Sequence, residues 1–284
     1  MIAITGATGQ LGRLVMDKLL ETTPASEIVA AVRSPEKAAD LAARGVVVRR
    51  ADYEKPETLE AAFAGVERLL LISSSEVGRR AAQHRNVIEA AKKAGVELIA
   101  YTSLLHATSS PLGLREEHVA TENMLRESGL GYVLLRHGWY TENFTGGIPA
   151  ALELGVILGC AGDGRIASAA RADYAAADVV AITGEGQDGS IYELAGDTAY
   201  TLAEFAAEVA QRSGKPVAYQ DLTEEEYWDA LLKAGLPEPI AAMLADSQAG
   251  AAKDGLFDDG KQLSALIGRP TTTLGESVRV ALQG

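Results

Sequence analysis

The chain has 284 residues and is 47% hydrophobic, enough to bury one large α/β domain or a dinucleotide domain with a lobe attached. A formal net charge of −13 with no basic stripe argues against nucleic acid or an anionic membrane as partner, and any phosphate site must carry its own local positive charge. One cysteine, Cys160, rules out an internal disulfide; with no signal peptide and no apolar run of about 18 residues, the expected location is the cytoplasm.

Residues 2–5 read as an apolar strand that runs into Gly6-Ala7-Thr8-Gly9-Gln10-Leu11-Gly12. Leu11, Leu14, Val15, Lys18 and Leu19 follow at helical spacing, and Pro24 closes that helix. A second strand is expected at 28–32, a helix opened by Pro35 and ended by Gly45, a third strand at 46–50, and a helix from Pro56 to Gly65. Leu69-Leu70-Leu71-Ile72 is an unbroken apolar run of the kind buried on both faces of a parallel sheet. A helix at 80–94 stopped by Gly95, a strand at 98–101, a helix at 116–128 stopped by Gly129 and a strand at 132–135 complete the regular alternation. Six strands with helical crossovers predict a doubly wound parallel sheet.

After residue 136 the alternation fails. Residues 137–170 read as loops and one helix, while a helix at 173–183 and a strand at 191–194 are expected to return to the main sheet. Helices at 201–212, 224–234, 237–245 and 259–267 suggest a mostly helical C-terminal lobe, with Asp258 and Asp259 as a charge pair at the start of the last. The expected fold is α/β: a doubly wound parallel Rossmann sheet over residues 1–136, with return segments near 172–195, and a smaller, mostly helical lobe from 137–171 and 196–284. No internal repeat stands out.

The glycine triplet gains meaning from its setting between a strand and a helix. Gly6 permits a tight turn, Gly9 lets a diphosphate approach the backbone, and Gly12 lets the helix pack close to the strand. The first N–H groups of the helix then face the phosphates at the positive end of the helix dipole. In NAD sites the second strand ends in an acidic residue that bonds the ribose 2′-hydroxyl; here it ends in Arg33, which suits a 2′-phosphate and predicts NADPH over NADH. Ser73, Ser74 and Ser75 follow the fourth strand, where they would line the cofactor's sugar or cap the next helix.

The Tyr-x-x-x-Lys pair that serves ketone reduction in this fold class is missing. Tyr101 is followed four residues on by Leu105, Tyr132 by Arg136, Tyr140 by Phe144 and Tyr174 by Asp178. Either hydride goes to an acceptor that needs little acid help, or the dinucleotide is bound without chemistry. Quinones fit the first case, because their reduction restores aromaticity and leaves a stabilised phenolate.

Five stretches together resemble the NmrA-like group of atypical short-chain dehydrogenases, and within it the quinone-oxidoreductase branch: Thr5-Gly-Ala-Thr-Gly-Gln-Leu-Gly12, Val32-Arg33, Tyr101-Thr-Ser103, Glu122-Asn-Met-Leu-Arg-Glu-Ser-Gly129 and Leu135-Arg-His-Gly-Trp-Tyr-Thr-Glu-Asn143. The stretches at 70–78, 100–106 and 255–259 extend the match over essentially the whole chain. The resemblance implies an NADP(H) groove formed by Gly6, Ala7, Thr8, Gly9, Gln10, Leu11, Arg33, Ser73, Ser74, Ser75, His137, Gly138, Trp139, Tyr140, Thr141 and Glu142. It also implies an acceptor pocket between the lobes and hydride transfer without flavin.

Where isoflavone-reductase-type relatives place a Lys, this chain has His118. That imidazole would orient the acceptor or supply a proton near pH 7, with Glu122, four residues on along the same helix face, raising its pKa. Tyr140 would stack on the acceptor ring and Asn143 bond a carbonyl oxygen, or each would serve packing and loop structure. Trp139 reads as structural. His84, His106 and His137 share no metal spacing, so no metal is expected. Two function classes stay open: an NADPH-dependent quinone reductase acting on a small aromatic acceptor, and a non-catalytic NADP(H) sensor of the NmrA type. The missing Tyr-x-x-x-Lys argues against a nucleotide-sugar epimerase, and the oligomeric state stays open.

Overall fold

A strand covered by helices on both faces is apolar at every position, and the N-terminal strands of this chain have that composition. The computed structural model describes residues 1–283 and divides the chain into two compact units. The first comprises residues 1–104, 116–137 and 174–192, the second residues 105–115, 138–173 and 193 onward.

In chain order the elements are β1 (Ile2–Thr5), α1 (Gln10–Leu19), β2 (Ile28–Val32), α2 (Ala39–Ala43), β3 (Val47–Arg50), α3 (Pro56–Ala62), β4 (Arg68–Leu71), α4 (Arg80–Ala94), β5 (Leu98–Leu104), α5 (Arg115–Glu127) and β6 (Gly131–His137). They continue as α6 (Glu142–Thr145), α7 (Ile148–Leu154), β7 (Val156–Gly159), α8 (Arg171–Thr183), β8 (Ile191–Leu194), α9 (Leu202–Ser213), β9 (Ala218–Asp221), α10 (Glu224–Lys233), α11 (Glu238–Ala251), α12 (Gln262–Ile267) and α13 (Leu274–Ala281).

The main sheet is seven-stranded, in the order β3-β2-β1-β4-β5-β6-β8, and β1 to β6 pair in parallel. Ala3, Val29, Ala31, Leu69, Leu71, Ile99, Tyr101 and Leu134 share a core with Leu59 and Phe63 beside α3, Val87 and Ile88 of α4, and Leu125 of α5. The alternate residues Ile4, Ala30, Leu70 and Ala100 are buried as well, so both faces of the sheet are covered. The strand order reverses between β1 and β4, and in open α/β sheets that reversal marks the crevice where ligands sit, beyond the C-terminal strand ends. Thr5 stitches the two strands at this point: its hydroxyl donates to Leu70 O (3.2 Å) and accepts from Ile72 N (3.0 Å).

β5 and β6 run past the expected 98–101 and 132–135 to Leu104 and His137, in register to the end. Polar Thr102, Ser103, Arg136 and His137 interrupt the apolar pattern there, yet each is buried. The expected helix after Pro35 divides into a 3-10 turn, Pro35–Ala38, and the short α2.

Among the described residues, seven helices lie wholly in the second unit, with a parallel pair, β7 and β9, that pattern reading missed; Val156 aligns with Ala218 and Gly159 with Asp221. Region 137–170 carries two helices, α6 and α7, and α13 lies beyond the last expected helix. Asp258 and Asp259 do not begin a helix. α12 starts at Gln262, and Asp258 Oδ2 lies 3.2 Å from His106 Nε2. Capping boxes Thr201/Glu204 and Thr223/Glu226 fix the starts of α9 and α10. Cys160 packs with Tyr227 and Ala245, and burial pushes its thiol up to about 11, which leaves it unreactive. Among the described residues no helix is long and apolar enough to cross a membrane, and no group of three or more His, Cys, Asp or Glu is placed to hold a metal.

Candidate active site

The loop between β1 and α1 is built by its glycines. Gly6 has φ +60°, a left-handed conformation, and its carbonyl accepts from Gly9 N at 2.8 Å, closing the turn. A Cβ on Gly12 would stand 2.2 Å from Gly6 O and 2.8 Å from Ala7 Cα, so only glycine lets α1 start against the loop. No side chain caps α1 at its N-cap Gly9, and no acidic residue sits in its first turn. The first N–H donors of the helix therefore have no side-chain acceptor, which is the electrostatic setting of an anion site. Gly6, Gly9 and Gln10 are exposed, Thr8 is half-buried, and Ala7 and Leu11 anchor the loop in the core.

Arg33 lies just past the end of β2, one strand from the loop, with its side chain 71% exposed and its guanidinium 3.1 Å from Glu76. On the other side of β1, Ser73, Ser74 and Ser75 follow β4. Glycine loop, Arg33 and serines thus stand at the C-terminal ends of three adjacent strands, β2, β1 and β4.

The serine segment is tied down from below. Ser73 N–H donates to Thr102 Oγ1 (2.9 Å), Ser74 N–H donates to His84 Nε2 (2.9 Å), and Arg80 Nε donates to Ser74 O (2.7 Å). Because His84 accepts at Nε2, its proton resides on Nδ1, 3.0 Å from Thr121 Oγ1, which itself donates to Glu117 O. Burial and the neighbouring Arg80 cation push His84 down to about 3, so it is neutral at physiological pH.

His118 and Glu122 depart from expectation. His118 is buried on α5 and shares a 2.7 Å hydrogen bond through Nδ1 with the hydroxyl of Tyr101, itself fully buried. Burial, then Arg80 and the other imidazoles nearby, holds His118 well below the ordinary histidine range. Glu122 does not raise it, because that carboxylate is taken elsewhere: it accepts from Arg136 at Nε (2.9 Å) and NH2 (2.7 Å), from Ser103 (2.6 Å) and from Arg126 (3.1 Å). Burial alone would raise the Glu122 pKa, but the Arg136 and Ser103 bonds outweigh it and the net shift is downward. His137 is buried, stacked on Tyr174 with centroids 4.6 Å apart, and its Nε2 lies 2.8 Å from Asp178 Oδ1, so its imidazole is committed to the core of the first unit.

In the second unit, residues 138–143 form a pinned segment. Gly138 N–H donates to Leu194 O (2.7 Å), Ala169 N–H to Trp139 O (3.2 Å) and Thr141 N–H to Ala169 O (2.9 Å). The Thr141 hydroxyl meets Ser168 Oγ at 2.8 Å, and Glu142 accepts the Arg171 N–H with both oxygens. Pattern reading missed Arg171. Its guanidinium carbon lies 4.8 Å from the centre of the Tyr140 ring, and its NH2 donates to Asn143 Oδ1 at 3.1 Å. Tyr140, Asn143 and Arg171 thus form one cluster, of which only the first two stand close together in sequence.

A family model described as NAD(P)H-binding matches residues 6–183. The chain is 63% identical to quinone oxidoreductase 2 of Escherichia coli K12 over 98% of this chain and 97% of that protein. The crystal structure of the E. coli NADPH-dependent quinone oxidoreductase complexed with NADPH superposes with a TM-score of 0.98, at 62% identity, covering 99% of this chain and 100% of the other. The Citrobacter sp. triphenylmethane reductase complexed with NADP(H) gives a TM-score of 0.95 at 41% identity, covering 99% and 100%. An NmrA-like family domain-containing oxidoreductase of Aspergillus flavus is 35% identical over 80% of this chain and 76% of that protein.

Proposed function

We propose a function from a fixed premise: this chain belongs to the NAD(P)H-binding, NmrA-like family. It is an NADPH-dependent oxidoreductase that passes a hydride directly to a quinone. The observation that carries this reading is the uncapped N-terminus of α1 beside a loop that only glycine can form, with a cation rather than a carboxylate at the end of β2.

The residues present fit the cofactor. A diphosphate needs N–H donors and close approach to backbone, which Gly6 to Leu11 supply. The 2′-phosphate needs a guanidinium, which Arg33 supplies; each charge-assisted bond contributes about 1.5–3 kcal/mol before solvent screening at this exposed site lowers it. Ser73 to Ser75 line the sugar, held at their height by His84 and Thr102. NADPH, when bound, supplies the hydride.

On the acceptor side, Arg171 orients Asn143. Because Asn143 Oδ1 accepts from Arg171, the amide NH2 is left as a donor for a carbonyl oxygen, with a guanidinium beside it where negative charge develops. Tyr140, whose ring carries the Arg171 guanidinium, would stand beside an aromatic acceptor. His118 serves as a neutral positioning group for Tyr101 and not as a proton donor. The relatives named for a quinone and for triphenylmethane act on conjugated electrophiles, which is the acceptor class such a site favours.

The test is to mix the protein with NADPH and a small benzoquinone and follow the nicotinamide absorbance. Oxidation well above the uncatalysed rate supports the reading. Tight NADPH binding without turnover would support a sensor instead.

A further inference from the structure

We infer that Glu76 sets how strongly the protein discriminates NADPH from NADH, by competing with the 2′-phosphate for Arg33; this rests on the placement of that phosphate proposed above. Glu76 Oε1 lies 3.1 Å from Arg33 NH1, and the two side chains are 36% and 71% exposed, so the pair is open to exchange.

The carboxylate does not depend on Arg33 to stay in place. Its other oxygen accepts from Gln83 Nε2 at 2.9 Å, and Arg79 NH1 stands 3.6 Å from the same atom. Gln83 is buried and accepts from Ser74 Oγ at 2.5 Å, while Glu76 N–H donates to that same hydroxyl at 3.2 Å. Glu76 is thus built into the serine segment that follows β4, and its negative charge remains beside Arg33 whichever way the guanidinium turns.

A 2′-phosphate carries close to two negative charges at neutral pH. To reach Arg33 it must either open the Arg33–Glu76 pair or take the guanidinium N–H groups that Glu76 leaves, and in both cases it sits near that carboxylate. NADH carries no 2′-phosphate and leaves the pair closed. Glu76 therefore lowers affinity for NADPH selectively, and Arg79 keeps the exchange feasible by leaving Glu76 a cation when Arg33 moves. An exposed ion pair of this kind changes an equilibrium by about two- to fivefold.

The experiment is to titrate NADPH and NADH into the full chain at one fixed, low ionic strength, for the native protein, Glu76→Gln, Arg33→Ala and the double variant. Glu76→Gln keeps an amide oxygen for Gln83 and removes the charge. The expected result is a rise of about two- to fivefold in the NADPH-to-NADH affinity ratio, shrinking to less than about 1.5-fold when Arg33 is already Ala. An unchanged or lower ratio in Glu76→Gln, or a gain of equal size without Arg33, overturns the competition. Arg33→Ala alone separates the two ideas. If it leaves the ratio untouched, the phosphate is not at Arg33 and the inference falls with that placement. If it lowers the ratio while Glu76→Gln does nothing, the placement stands and only the role of Glu76 fails.

Discussion

His84 makes the first unit acid-sensitive. Its imidazole is fully buried, packed edge-on against Tyr53 and Tyr101, with Arg80 nearby, and it titrates at about 3 in the folded protein against 6.5 for an exposed histidine. A base whose pKa is depressed by folding binds its proton more readily in the unfolded chain. Its contribution is therefore complete above about pH 6.5 and is lost as pH falls from there toward the folded value. By pH 5 the unfolded chain holds nearly one proton that the folded protein refuses, and the change from pH 7 integrates to about 2 kcal/mol. Protonation at Nε2 would also remove the acceptor of Ser74 N–H. His118, shifted the same way by burial, adds to the slope. The carboxylates with lowered pKa, Glu122 and Asp254 among them, act only below about pH 4.5 and stay outside this window. Urea unfolding at pH 7, 6 and 5 for the native protein and His84→Gln isolates the effect. The variant's loss of stability from pH 7 to 5 should be smaller by about 2 kcal/mol, whatever its stability at pH 7. Equal slopes would refute the reasoning.

Gly12→Ala would force a methyl group against Gly6 O and should destabilise by about 1–3 kcal/mol in urea unfolding while weakening NADPH binding in a titration. Glu122→Gln removes the carboxylate that accepts two hydrogen bonds from buried Arg136 and one from Ser103, so thermal and urea unfolding should show a loss of about 3 kcal/mol. Arg171→Gln should cut kcat for a benzoquinone by roughly tenfold while the dissociation constant of NADPH moves far less, as stopped-flow and binding titrations would show. His118→Gln should leave the shape of the pH–rate profile between pH 6 and 8 unchanged, because the imidazole is neutral across that range; a lost inflection would return it to the role of proton donor.

The sheet of the first unit was legible because its punctuation is local. Apolar runs end at residues that can turn the chain, and Gly95 and Gly129 stop helices with φ of +77° and +79°. The turn of the glycine loop and the position of Arg33 past β2 were legible for the same reason, since each lies within a few residues of a strand end. The far ends of β5 and β6 were not, because Ser103 and Arg136 look like loop residues until Glu122 is found beneath them. That same tertiary pairing explains the misreading of His118: helix spacing puts Glu122 near it, but a strand residue claims the carboxylate. β7 and β9 escaped because each is four residues long and its partner lies some sixty residues away. Arg171 escaped because its contacts with Tyr140 and Asn143 span about thirty residues of sequence with no repeating pattern to mark them.

The buried polar network also bears on which acceptors the protein can serve. A general acid works best when its pKa lies near the working pH. Tyr101 and His118 are displaced in opposite directions: burial raises the phenol and lowers the imidazole, so the shared proton stays on the tyrosine and the histidine stays neutral. A donor that holds its proton so firmly, with no Lys four residues on to loosen it, is poorly suited to quench an alkoxide as hydride arrives. A ketone would therefore meet an uncatalysed half of its reaction here. A quinone would not, because its first product is an aromatic phenolate whose charge, with Asn143 and Arg171 in the role proposed above, the amide and the guanidinium would hold until water protonates it. On the reading proposed above, weak acidity would act as selectivity: simple carbonyls would react slowly, and acceptors that carry their own electronic stabilisation would not. Across a series of substituted benzoquinones, rates that rise as the product phenolate becomes more stable, and that steepen in Arg171→Gln, would be the kinetic signature of that division of labour.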